Sequence, residues 1–191
     1  VAQYHVGYLH FEAGRVPEAI EALHKANAGR ADYPRAKLAE ARAHMANGDS
    51  ASAGQLFEGL TALESPEWQA RGWQGLALIQ WTAGQAEAAE ASLVKSLGMD
   101  DRSDSARGAL MLLARISLER KTWSTVEPML EELIRKRPRE AEAHFWLGRM
   151  ALRGKRPGVT RCACCLGGRL ETIRGAGAYP RANVKLVGTH A

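Results

Sequence analysis

The feature that most constrains this chain is a helical hairpin whose residue pattern recurs along the sequence. In the stretch from Trp73 to Leu97, the large residues Trp73, Leu76 and Leu93 fall at helical spacing. The small residues Ala77 and Ala89 fall where two helix backbones must approach. Between them lies Thr82-Ala83-Gly84-Gln85. Gly84 suits a tight turn there, because only glycine enters positive φ without steric cost. The pattern predicts a helix, a turn and an antiparallel helix. A hairpin of about 34 residues cannot bury its apolar face alone and needs copies of itself alongside.

The copies are present. Trp73-Leu76-Ala77 has equivalents in Gln3-Val6-Gly7, Lys37-Glu40-Ala41, Leu110-Leu113-Ala114 and His144-Leu147-Gly148. Gly84 corresponds to Gly14, Gly48, Lys121 and Lys155. Ala89 and Leu93 correspond to Ala19 and Leu23, Ala53 and Phe57, and Val126 and Leu130. Ala26, Leu60, Ser96 and Leu133 take the next position of the second helix, and Ala31, Ser65, Asp101 and Pro138 end the repeats. A chance bundle of amphipathic helices has no reason to reset its small residues to one register four times.

On these residues the chain resembles the tetratricopeptide repeat (TPR) family, with its Trp-x2-Leu-Gly-x2-Tyr, Ala-x3-Phe and Pro pattern at a 34-residue period. The resemblance covers residues 1–154, about four and a half repeats, at roughly 1–33, 34–67, 70–103, 107–140 and a half repeat at 141–154. It implies an all-α fold, an antiparallel helix-pair solenoid winding as a right-handed superhelix. Extra residues between repeats, at Trp68-Gln69 and Asp104-Ser105-Ala106, are expected in loops, where solenoids tolerate insertions. Trp68 is open to two readings, packed over the seam between repeats or exposed.

Residues 155–191 break the pattern. They form an irregular basic tail rich in Gly, Arg and Cys, read either as disordered or as the product of a reading-frame shift. The tail holds seven basic residues against Glu171, so it carries +6 while the rest of the chain carries −1. The pI near 9.3 therefore does not describe the repeats. Cys162, Cys164, Cys165 and His190 all lie in the tail, and only Cys162 and Cys165 show a ligand-pair spacing, so no zinc site or other metal site is expected. The repeats hold no cysteine, which implies no disulfide framework. No phosphate loop, Ser/His/Asp order or H-E-x-x-H pattern occurs, and neither catalysis nor a cofactor is expected. Paired acids such as Glu131-Glu132 read as a solvated face. The first helix of the half repeat, lacking its partner pattern, is an expected weak point.

No apolar run reaches the roughly 18 residues of a membrane span, and Val1 opens no signal peptide. The expected location is the cytoplasm, with the reservation that Val1 falls at the second position of a repeat and reads as the start of a fragment. The Ala- and Arg-heavy composition suggests a bacterial source.

The family resemblance implies function as well. TPR arrays bind extended or helical peptide segments along a concave side lined by first helices. Transfer of the family register puts Tyr4, Tyr8, Phe11, Arg35, Arg42, Met45, Arg71, Trp81, Arg115, Phe145, Trp146 and Arg149 in that groove. Leu38, Gln74, Leu78, Leu112, Leu118 and Arg153 fall at groove positions too. Arg42, Arg115 and Arg149 share the ninth position of their repeats. Arginine pairs carboxylates in a planar fork, and aromatic rings serve as anchors. The expected partner is thus another protein, presenting a segment with hydrophobic anchors and acidic residues. The alternative for the charge is internal pairing with glutamates such as Glu12, Glu119 or Glu142. The Lys/Asn pattern of the chaperone carboxylate clamp is matched in neither register, with Tyr4, Tyr8, Ala39, Arg71 and Gly75 in one. Other readings are a nucleic-acid-binding helical repeat or basic tail, and the docking fragment of a larger enzyme or secretion component.

Overall fold

The computed structural model describes residues 2–29, 33–100 and 104–154. Among them run the helices α1 (Ala2–Glu12), α2 (Val16–Ala28), α3 (Pro34–Ala46), α4 (Ser50–Thr61), α5 (Pro66–Thr82), α6 (Ala86–Met99), α7 (Asp104–Arg120), α8 (Val126–Lys136) and α9 (Ala141–Arg153), with no strand among the described residues. The expectations for Ala31, Asp101, Lys155 and the tail with its cysteines lie outside these residues.

Local chemistry sets where the helices start and stop. Pro17, Pro34 and Pro66 stand in the first turns of α2, α3 and α5, where a missing N–H costs nothing. Asp49 caps α4 by accepting the Ser52 N–H at 3.0 Å. Four hairpin turns share one closure. Gly14, Gly48, Gly84 and Lys121 all take positive φ, from 62° to 81°. The next N–H then reaches back to a carbonyl in the last turn: Arg15 to His10, Asp49 to His44, Gln85 to Gln80 and Thr122 to Ser117, at 2.8–2.9 Å. This is the closure that satisfies the end of a helix through a left-handed residue.

Each helix packs on the next, and the odd-numbered helices also touch one another in series, α1 to α3 to α5 to α7 to α9. The repeating small residues make the close approach possible. Ala41, Ala77 and Ala114 on first helices, and Ala19, Ala53, Ala89 and Val126 on second helices, are fully buried. So are Leu23, Leu93 and Leu130, with Phe57 nearly so. The apolar core is three successive clusters, in α1–α3, α3–α5 and α5–α9, and not one central core. The fold is an α-solenoid of antiparallel helix pairs. No described helix is long and apolar enough to cross a membrane.

Two details differ from expectation. The extra residues do not lie in loops: they lengthen α5 and α7 to 17 residues each. Ser65-Pro66-Glu67 is itself a helix start, with proline at the first position and an acid facing the positive helix end. Trp68 then packs against the cluster of Leu38, Phe57 and Leu60, and Ala106 is buried beside Leu110 and Leu97. The second difference is Glu40, which stands in a leucine slot. It is buried because His24 Nδ1 lies 2.9 Å from one carboxylate oxygen and Asn27 donates to the other at 2.6 Å.

Candidate functional site

The first helices line two adjoining cavities on one side of the stack. The first, of about 390 Å³, is walled by Tyr4, Tyr8 and Phe11 of α1, Arg35 and Arg42 of α3, and Glu67, Trp68 and Arg71 of α5. The second, of about 500 Å³, is walled by Met45, Gln74, Leu78, Ser105 and Leu112, with Phe57 and Leu93 from second helices. Phe11, Leu38, Arg42 and Arg71 border both. The volumes lie within the range of sites that enclose a ligand.

The helix register explains the lining. Positions on one face of α1, α3 and α5 recur at three- and four-residue steps, so Tyr4, Tyr8 and Phe11 stack along one edge. Tyr4 packs edge-on against Tyr33, with ring centroids 5.4 Å apart, and lies 6.5 Å from Tyr8. Glu12 hydrogen bonds the Tyr8 hydroxyl and repels its phenolate, which holds the Tyr8 pKa above the usual tyrosine value. Partial burial, and then the like charge of Arg71, hold the Arg42 pKa below the usual guanidinium value, while Tyr4 and Tyr8 oppose that shift. A guanidinium stays charged regardless. Arg71 lies over the Trp68 ring at 5.3 Å and donates from Nη2 to Glu67 Oε1 at 3.0 Å. Its Nε is buried without a hydrogen-bond partner.

The structure gathers eleven of the groove positions expected from the sequence around the two cavities: Tyr4, Tyr8, Phe11, Arg35, Leu38, Arg42, Met45, Arg71, Gln74, Leu78 and Leu112. The others stand elsewhere along the stack. Arg115 of α7 lies 5.6 Å from the centroid of the Trp81 ring of α5. Arg149 of α9 lies 5.5 Å from the Phe145 ring and 5.6 Å from the Trp146 ring. These separations fall within cation–π range. One groove position is corrected: Leu118 is buried in the core of the α5–α9 cluster, whereas Leu38, also buried, forms part of the floor of both cavities. Arg153 donates from Nη1 to the Leu118 carbonyl at 3.1 Å, which satisfies the end of α7. Trp68 and Glu67 are lining residues that the repeat phase missed. The helix-start signal at Ser65-Pro66 could have found them.

Polar bonds hold the wall in place. Ser105 Oγ donates to Gln74 Oε1 at 2.6 Å, Gln74 Nε2 donates to Ser96 Oγ at 3.2 Å, and Ser96 Oγ donates to the Ala70 carbonyl at 2.9 Å. This chain ties α5, α6 and α7 together under the second cavity. Among the described residues, no group of three or more His, Cys, Asp or Glu side chains stands where a metal ion could be held.

Two matches to family models described as tetratricopeptide repeat span residues 10–79 and 127–158. No protein with a curated description matches the sequence. Among solved structures, that of pilF from Pseudomonas aeruginosa superimposes with a TM-score of 0.67 at 16% identity, covering 89% of this chain and 77% of that one. Nearly identical TPR-like repeats from Podosopora anserina superimpose with a TM-score of 0.65 at 21% identity, over 83% and 88% of the two chains. MamA does so with a TM-score of 0.63 at 17% identity, over 84% and 89%. At these identities the likeness shows a shared fold. With the repeat matches in the sequence and the stacked hairpins in the structure, the chain belongs to the tetratricopeptide repeat family and is by general type a protein-interaction scaffold.

Proposed function

We propose that the protein is a non-enzymatic module that binds a peptide segment of another protein in the groove formed by the two adjoining cavities. The segment carries hydrophobic anchors and acidic residues. The observation that carries this reading is the convergence of Arg35, Arg42 and Arg71 with Tyr4, Tyr8, Phe11 and Trp68 on one concave surface. Aromatic side chains supply large contact area at low entropic cost, and arginine supplies directional pairing with carboxylates. The acids of the ligand would match the three arginines, against Glu12 and Glu67 in the same wall.

Selection from a random peptide display library on the full chain tests the reading. Enriched peptides should combine Asp or Glu with aromatic or large aliphatic residues. Their affinity should fall at least about tenfold in the variant carrying both Arg35→Glu and Arg42→Glu, two of the arginines that line the groove, since reversing a charge turns a pairing into a repulsion. Enrichment without acids, or unchanged affinity in the double variant, would overturn it.

A further inference from the structure

Arg42 and Arg71 stand at the junction of the two cavities, from adjacent repeats. Their like charges act on one another, so the junction favours an anion. The hydrogen-bonding state of Arg71 is uneven. Its Nη2 is engaged by Glu67, one helical turn earlier, while its Nε is buried and unpartnered. Nε and Nη2 share one edge of the guanidinium plane, and that edge is the one a carboxylate grips with two parallel bonds. Trp68 stands beside the group, its ring centroid 5.3 Å from Cζ, and no acceptor lies opposite Nε in the free protein.

We infer that Arg42 and Arg71 form a seat for a single side-chain carboxylate of the bound segment, and that Glu67 holds part of this seat in the free protein and yields it on binding. The inference rests on the proposed groove reading and names the part of the ligand that this junction takes. Glu67 is poorly suited to keep the seat. It makes one bond where two are available, and its side chain is 53% exposed. Exposed pairs of this i,i+4 kind are weak. An incoming carboxylate gains both donors of the Arg71 edge and the field of Arg42. Apolar walls stand on both sides of the junction, Tyr4 and Tyr8 toward one cavity and Met45 and Leu78 toward the other, with Phe11 bordering both. The recognised acid is therefore one flanked by large apolar residues before and after it.

The test is titration of the full chain with a capped pentapeptide, Leu-Phe-Glu-Phe-Leu, and its Gln counterpart at equal ionic strength. The signals read are backbone amides of α1, α3 and α5 and the arginine Nε–Hε resonances, with Arg71 assigned through Arg71→Lys. The glutamate probe should move the Arg71 Nε–Hε signal, and the glutamine probe should bind more weakly and leave it in place. Glu67→Gln should tighten the glutamate probe about threefold, the scale expected when a weak exposed pair no longer competes. Glu58→Gln on α4, a charge removal away from the cavities, should not. If the probe moves groove amides but leaves Arg71 Nε–Hε unmoved, or binds wild type and Glu67→Gln equally, the seat is wrong and the groove reading stands. If neither probe perturbs the groove, both fall.

Discussion

Lys121 occupies a turn position that glycine holds in three other repeats, at φ 62°. A left-handed residue with a Cβ carries about 1–2 kcal/mol of strain, partly offset by the greater freedom that glycine loses on folding. Lys121→Gly should therefore stabilise the protein by about 0.5–1 kcal/mol, read as a higher urea midpoint at unchanged slope. An unchanged or lower midpoint would show that the lysine side chain contributes contacts beyond its turn role. The turn itself was legible in the sequence, since the recurrence of Gly14, Gly48 and Gly84 at one phase marks position 121 whatever residue stands there. The Glu40 pairing was not. It needs His24 and Asn27 on a different helix, and the repeat phase at position 40 speaks only of a leucine slot.

At the scale of the helix, α5 shows how closely one repeat seats on another. A Cβ at Gly75 would come within 2.2 Å of the Phe57 ring on α4, and one at Gly72 within 2.7 Å of the Phe57 carbonyl oxygen. Alanine raises helix propensity by about 1 kcal/mol over glycine. Overpacking costs about 1–3 kcal/mol, so Gly75→Ala should destabilise by about 1 kcal/mol or more. Gly98, in α6 with nothing within 4 Å of its Cβ position, is the control, and Gly98→Ala should be neutral or stabilising. Chemical denaturation of both variants reads the contrast, and a stabilised Gly75→Ala would mean that α4 and α5 have slack. Helix existence and pairing followed from periodicity because each small residue serves the same contact in every repeat. The start of α5 did not follow, because phase was counted from Ala70 and obscured the Ser65-Pro66-Glu67 signal. The Arg42–Arg71 junction was half legible. Both residues stand at groove positions, but a ninth and a second position of adjacent repeats meet only once the stacking geometry is known.

Across the molecule, apolar clusters follow one another along the stack, so stability is shared mainly between neighbours. Leu23 and Leu93 are both fully buried, and truncation to alanine at either site should cost about 2–5 kcal/mol locally. Their reach should differ. In native-state hydrogen exchange, Leu23→Ala should speed exchange in α1–α3 while α7–α9 keep their protection, and Leu93→Ala should loosen helices on both sides of α6. Equal loss of protection everywhere in both variants would contradict a stack of neighbour-coupled repeats. The same arrangement sets positive charge over indole rings, three of them on α5 and one on α9. Arg71, Lys95, Arg115 and Arg149 cover Trp68, Trp73, Trp81 and Trp146, four of the five tryptophans. The molecule thereby carries its own optical gauges. Each of these chromophores emits beneath a local electric field, and whatever draws a cation away from its ring shifts the colour of that emission without any dye attached.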